Sequence, residues 1–268
     1  MIVAINYSND AYLKSRKLNS FTAKFFGRVN KVISYGPNDI DKEFKDKYSE
    51  TLSAKRGNGY WLWKPYFIKK TLSTINEGDY LIYSDSGMCY IRKIDDLILK
   101  MNKAKQDIFL TELPLLEIQF THPEVLKRLN GDKFKFTNQI QANVLIFKKT
   151  EFSIKFINDW LSLCQDKNFL IANNYKNINE NLFISHREDQ SILSLLAKKN
   201  GIRPFMDVSD YGRFPFQYFN TGYLFRLKQK EIQYSFSKTY FLLFRKQNPI
   251  IYSIKYFVKY MFSKINFF

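Results

Sequence analysis

Short apolar runs closed by turn residues alternate along the chain with stretches whose apolar positions recur at helical spacing, a pattern that predicts an α/β fold around an open sheet. Met1 to Asn6 reads as the first buried strand. The polar run Tyr7-Ser8-Asn9-Asp10 then reads as the cap of a helix with Leu18, Phe21 and Phe25 on one face, ended by Gly27. Lys31 to Tyr35 supplies a second strand, stopped by Gly36-Pro37-Asn38, and Asp39 to Ser53 reads as a charged connector. Pro65 suits the first position of a helix whose Ile68, Leu72 and Ile75 share a face. A strand follows at Tyr80 to Tyr83, then a helix opened by Asp95 and Asp96, and strands at Asp107 to Thr111 and Val144 to Phe147. The next helix sets Phe152, Phe156, Trp160 and Leu163 on one face, and Ile202 to Val208 adds a short strand.

The strand at Tyr80 to Tyr83 is closed by Ser84-Asp85-Ser86-Gly87, so it delivers Asp85 at its C-terminal end, where open α/β sheets bind ligands. A carboxylate there can accept hydrogen bonds from a ribose or help hold a hard divalent cation between phosphates, and Gly87 permits close backbone approach. A polar turn after a strand is the plainer alternative. Upstream, Arg56-Gly57-Asn58-Gly59 reads as a flexible loop. Tyr60-Trp61-Leu62-Trp63-Lys64-Pro65 then places two of the chain's three Trp residues beside a cation, fit either to pack as core or to clamp something flat or anionic. Downstream, Gln139, Gln141 and Asn143 precede a strand, and their amides can bind sugar hydroxyls or simply mark a polar strand edge. His186-Arg187-Glu188-Asp189-Gln190 sets two acids at a helix N-terminus, where the dipole favours carboxylates and capping accounts for one of them. The Asn-rich stretch from Gln165 to Ser185 reads as a long loop able to fold over a substrate. His122-Pro123 reads as a helix start, with no second His near it in sequence.

With 268 residues, 45% of them apolar, the chain can bury the core of one large domain with an appendage. A formal net charge of +17 calls for an anionic partner, whether nucleotide diphosphate, membrane surface or nucleic acid. Cys89 and Cys164 are the only cysteines, which excludes a disulfide framework and fits a reducing cytoplasm. The first residues read as a strand rather than a signal peptide, and no stretch approaches the ~20 apolar residues of a membrane span. After about Glu231 the composition shifts. Residues 232–268 contain no Asp or Glu, and Ile251, Ile254, Val258, Met261 and Ile265 follow helical spacing beside Lys255 and Lys259. That predicts a domain over 1–231 and a basic, aromatic, amphipathic tail over 232–268 that lies on an anionic membrane surface or packs on the domain.

Three motifs taken together, R-G-x-G-Y-W-x-W-K-P from Arg56, G-D-Y-L-I-Y-S-D-S-G from Gly78 and H-R-E-D-Q-S-I-L from His186, resemble a family of bacterial glycosyltransferases of surface polysaccharide (capsule or O-antigen) biosynthesis with a GT-A-like, Rossmann-like fold. The resemblance covers about residues 1 to 225. It implies transfer of a sugar, a hexose by expectation, from a nucleotide-diphosphate donor to a glycan or lipid-linked glycan, at the inner face of the cytoplasmic membrane. It places Asn6, Tyr7, Arg56, Trp63, Lys64, Asp85, Gly87 and Gln190 on the donor side and Gln139, Gln141 and Asn143 on the acceptor side. Asp189, with Glu188, becomes the base of an inverting reaction, or a ligand of donor hydroxyls in a retaining one. GT-A enzymes commonly carry Asp-x-Asp with Mg²⁺ or Mn²⁺ at this strand end, with Asp85 and His186 as the candidate metal ligands here. This chain departs from the pattern with Gly87 in the second Asp position. The competing class is a non-enzymatic basic protein that binds nucleic acid through aromatics interleaved with Lys, but no RNA-binding or helix-turn-helix signature supports it, so no nucleic acid is expected.

Overall fold

A computed structural model of the chain describes residues 1–172, 181–218, 221–224 and 238–265. The asparagines at 173, 174, 177 and 179, Asn220, and the boundary between 231 and 232 lie outside the described residues. Six strands form one mixed sheet in the order β2-β1-β3-β6-β5-β7: β1 Ile2–Tyr7, β2 Lys31–Tyr35, β3 Tyr80–Ser84, β5 Ile108–Leu116, β6 Asn138–Lys148 and β7 Phe205–Met206. β1 pairs in parallel with both β2 and β3, β6 runs antiparallel to β3 and β5, and β7 is parallel to β5.

Because the sheet is covered on both faces, its strands read as unbroken apolar runs, and alternate residues serve two different cores. Val3, Ile5, Leu81, Tyr83, Leu145 and Phe147 belong to the core that also takes in Phe67, Phe156, Trp160 and Ile192. Ala4, Ile82, Phe109, Val144 and Ile146 belong to the opposite core, with Leu97, Met101, Tyr240 and Phe241. The helices Trp63–Leu72, Glu151–Gln165 and Glu188–Lys199 pack on the first face.

Several expectations shift here. The Leu13–Phe25 helix does not bury Phe21 and Phe25, which are 53% and 63% exposed with their rings 4.4 Å apart. It turns Asn19, Thr22 and Ala23 inward instead, since the Asn19 amide is needed to bond Ser84 Oγ and the Met88 carbonyl. In the Glu151–Gln165 helix Phe156 and Trp160 are buried as expected, whereas Phe152 is exposed and Ile157 and Leu161 take the inward positions. The charged connector is helical at Lys42–Lys47 and Ser49–Leu52. β5 continues beyond Thr111 to Leu116 with an irregular register around Pro114, which has no N–H for the ladder. Gln139, Gln141 and Asn143 sit within β6 rather than before a strand.

Part of the stretch expected as a separate tail from residue 232 belongs to the domain. Tyr240, Phe241, Leu242 and Phe244 are fully buried, and β8, Phe241–Leu242, pairs antiparallel with β4, Cys89–Tyr90, so this stretch is built into the domain. The helix Pro249–Ile265 lies on its surface, docked through Tyr252, Tyr256 and Tyr260 against Phe214, Leu242 and Phe244.

Candidate active site

A cleft of about 780 Å³ opens where β1 and β3 end. The parallel pairing of these strands brings both C-terminal ends to the same edge, so the loop after Tyr7 and the turn at Asp85 to Gly87 face one space. On one wall Tyr7 stacks against Trp63, ring centroids 3.8 Å apart, and the Trp63 indole donates to the Gly57 carbonyl at 2.9 Å. The Asn58 amide donates to Tyr7 Oη, and burial pushes the Tyr7 phenol up to about 12, so it stays protonated. The loop read as flexible is held in one unusual shape: Gly57 to Trp61 all have positive φ, from 51° to 98°. That backbone carries Gly57, Asn58 and Trp61 onto the cleft wall, where it stores local strain.

Beneath the cleft runs a line of charges. Tyr83 Oη donates to Asp85 Oδ1 at 2.6 Å, the Lys64 ammonium lies 3.7 Å from that same oxygen, and it lies 3.0 Å from Asp189 Oδ2. Lys64 also donates to the Ala142 carbonyl at 3.0 Å. Burial pushes the Asp189 carboxyl up to about 7 against the pull of Lys64. Burial would lower Lys64, but Asp189 and Asp85 hold it above the ordinary amine range. Asp85 opens to the cleft, while Asp189 is in contact with Lys64 rather than with the cleft.

Of the residues singled out from sequence, the structure brings Tyr7, Trp63, Asp85, Gly87, Gln141, Asn143 and Gln190 together on the lining. Gln190 is oriented by two bonds, donating to Gln139 Oε1 and accepting from the Ala142 amide. The others, among them Lys64 and Asp189 described above, do not line the cleft. The Asn6 amide is buried and donates to Asn19 and Ser20, tying β1 to the first helix rather than reaching a ligand. Gln139 is fully buried, donating to the Phe120 carbonyl, and it acts on the cleft only through Gln190. His186 has both ring nitrogens engaged, with Nδ1 accepting from the His122 amide and Nε2 2.8 Å from the Phe169 carbonyl, so it is not open to a metal. Arg56 and Glu188 form an ion pair with each other and do not line the cleft.

Sequence reasoning missed the far wall: Asp207, Tyr211, Tyr218, Arg187, Arg245, Lys246 and Gln247. Asp207 stands just past β7, so the logic that selected Asp85 applies to it, and its carboxyl is pushed up to about 6 by desolvation. Arg245 and Lys246 follow the buried run Tyr240 to Phe244 that had been read as tail. Among the described residues no three His, Cys, Asp or Glu side chains converge as a metal site would require.

No protein-family model matches the chain, and no curated protein matches it. Among solved structures, the α/β fold just described is that of glycosyltransferases of the GT-A-like class. The bifunctional glycosyltransferase WbbM, in its apo form, superposes with a TM-score of 0.53 at 11% identity, over 92% of this chain and 46% of its own. Galactosyltransferase LgtC, in complex with donor and acceptor sugar analogs, gives 0.49 at 11% identity over 91% and 87% of the two chains. The apo form of glycosyltransferase GlyE from Streptococcus pneumoniae TIGR4 gives 0.44 at 16% over 91% and 54%. The chain spans about half the length of the GlyE and WbbM chains.

Proposed function

We propose that this chain transfers a sugar, a hexose by preference, from a nucleotide-diphosphate donor to a hydroxyl of a surface glycan, of the capsule or O-antigen kind, carried on a lipid. The observation that supports this reading is the composition of the cleft. An aromatic wall at Tyr7 and Trp63, a carboxylate at Asp85 and the amides of Gln141, Asn143 and Gln190 face four cations, Lys55, Arg187, Arg245 and Lys246. Flat rings suit a nucleoside, amides suit sugar hydroxyls, and fixed cations stabilise a departing diphosphate. Asp85 orients the donor, and Lys64, clamped by Asp189, holds that carboxylate in place.

In this reading the C-terminal helix holds the protein at the inner face of an anionic membrane. Ile250, Ile251, Ile254, Phe257, Val258, Met261 and Phe262 are all exposed on it beside Lys255 and Lys259. Such a helix lies in the interface, and among the described residues no helix is long and apolar enough to cross. The alternative of a nucleic-acid binder has no support in the likenesses above, and Lys55, Arg187, Arg245 and Lys246 share one cleft with the carboxylate and amides.

The test is a donor screen on the purified chain, measuring release of nucleoside diphosphate from a panel of nucleotide sugars with and without glycan acceptor. Release from one class of donor, stimulated by acceptor, is the expected result. Absence of release and of donor binding across the panel overturns the reading. The anomeric configuration of the product, read by NMR, then assigns the reaction as inverting or retaining.

A further inference from the structure

The GT-A-like class implies a divalent cation held at the strand-end motif, and the residues present do not fit one. Gly87 takes the place of the second carboxylate, and a side chain there would crowd the Arg245 backbone: a Cβ would lie 3.1 Å from Arg245 Cα, which would have to give by a few tenths of an ångström. Asp85 already accepts the Tyr83 hydroxyl on Oδ1, and the same oxygen faces the Lys64 ammonium at 3.7 Å, so a cation bound to it would meet a fixed positive charge. His186 has spent both nitrogens on backbone groups.

The backbone that crowds position 87 also delivers a cation beside it. β8 pairs with β4 immediately after Gly87, and the Arg245 amide donates to the Gly87 carbonyl at 2.9 Å. Arg245 itself has a φ of 52°, the turn that carries its side chain and that of Lys246 to the cleft mouth. Its guanidinium stands 5.1 Å from the Tyr211 ring, and that of Arg187 lies 3.8 Å over Phe120, so both forks are held by aromatic faces. Planar guanidinium groups match phosphate oxygens two at a time and need no metal between.

We propose that the cleft binds a nucleoside diphosphate without a divalent cation, the diphosphate being held by Arg245, Lys246 and Arg187, with Gly87 as the position that seats Arg245. This rests on the donor reading given above. Asp85 is then left to orient donor hydroxyls, a task compatible with its Lys64 and Tyr83 partners.

Equilibrium binding of UDP, GDP, ADP and dTDP to the full chain, measured calorimetrically in excess EDTA and again with Mg²⁺ or Mn²⁺, tests it. At least one nucleotide is expected to bind in EDTA, with affinity changed less than about threefold by either metal. Arg245→Gln is expected to weaken that binding about tenfold or more, as loss of a charge-assisted bidentate contact does. Gly87→Asp, which restores the Asp-x-Asp pattern but presses on the Arg245 backbone, is expected to weaken it as well without creating a metal requirement. Circular dichroism melts on both variants separate loss of contact from loss of fold. Binding that requires the metal overturns the inference and leaves the donor reading standing, whereas no binding under any condition overturns both. Binding in EDTA that a folded Arg245→Gln variant leaves unchanged overturns the role of Arg245.

Discussion

Lys64 and Asp189 form an ion pair from which water is almost absent: Nζ and Oδ2 are 3.0 Å apart, and the two side chains are 4% and 5% exposed. A pair so buried gains little over an apolar one of the same shape, but removing one partner strands the other, at a cost of about 3–5 kcal/mol. Lys64→Met is therefore expected to destabilise by that amount at pH values well above 7. The sign of the pH dependence follows from Asp189, whose folded pKa of about 7 is raised from 3.8 by burial even with Lys64 present. A raised acid favours the fold below its unfolded pKa and loses that contribution as pH rises through the folded one. Without Lys64 the folded value moves higher still. The Lys64→Met defect, read from urea unfolding, should thus shrink toward pH 5 and grow toward pH 8. A defect independent of pH would contradict the pairing.

Asp85→Asn tests the exposed end of the same line of charges. Its side chain is 38% exposed, so the melting temperature should change little. Turnover should fall by roughly 100-fold or more, because an amide has no charge with which to answer Lys64 and is a poorer acceptor for donor hydroxyls. Turnover within a few-fold of the parent, on whichever donor the screen identifies, would remove Asp85 from the site.

The strands were legible because a sheet buried on both faces leaves continuous apolar runs, and Asp85 was legible because a strand end and a ligand site coincide in open α/β sheets. Faces of helices were less so. Phe21 and Phe25 look like core by spacing, yet the inward face of their helix is claimed by Asn19, whose partners Ser84 and Met88 lie more than sixty residues away in sequence. Periodicity carries no information about such distant polar demands. The same holds for Gln139 and His186, polar side chains that face the interior because Phe120 and Phe169 offer them carbonyls there. Arg245 was hidden for a different reason. A two-residue strand, Phe241–Leu242, is too short to show a period, so the chain's return to β4 could not be seen in a segment that reads as tail.

His186 provides a pH test that is separate from Asp189. Burial lowers its pKa from 6.5 to about 4, with the charges of His122 and Arg56 adding to the effect and the Phe169 carbonyl opposing it. Protonating Nδ1 would turn a hydrogen toward the His122 amide that now donates to it. A depressed base contributes stability that is present above 6.5 and is lost as pH falls toward 4, about 3 kcal/mol over the whole window. Asp189 acts in the opposite direction over an overlapping range, so the difference between the parent chain and His186→Gln is the useful quantity. That difference should narrow steadily from about pH 6.5 down to about pH 4. A constant difference would mean that the imidazole titrates normally in the fold.

The last test concerns the C-terminal helix, and the structure dictates how it must be done. Cutting the chain at Lys238 would remove Tyr240 to Phe244 from the core and Arg245 from the cleft, so loss of membrane binding there would only report unfolding. Substitution of the outward residues avoids this. Ile251, Ile254, Val258 and Met261 are each more than two-fifths exposed, while Tyr252, Tyr256 and Tyr260 on the other side dock the helix. A variant with those four changed to Ser keeps the docking face and the basic residues, and it should melt within a few degrees of the parent. Each buried methylene contributes about 0.8 kcal/mol to partition into the interface and each Lys near an anionic leaflet about 1 kcal/mol, so neither term alone holds a protein firmly. The parent is expected to sediment with vesicles containing phosphatidylglycerol and to be released by high salt. The four-serine variant is expected to stay in the supernatant while releasing nucleoside diphosphate from the donor at the parent rate. If it still sediments, those four side chains are not the membrane contact; if the parent never sediments, the helix does not bind an anionic membrane surface.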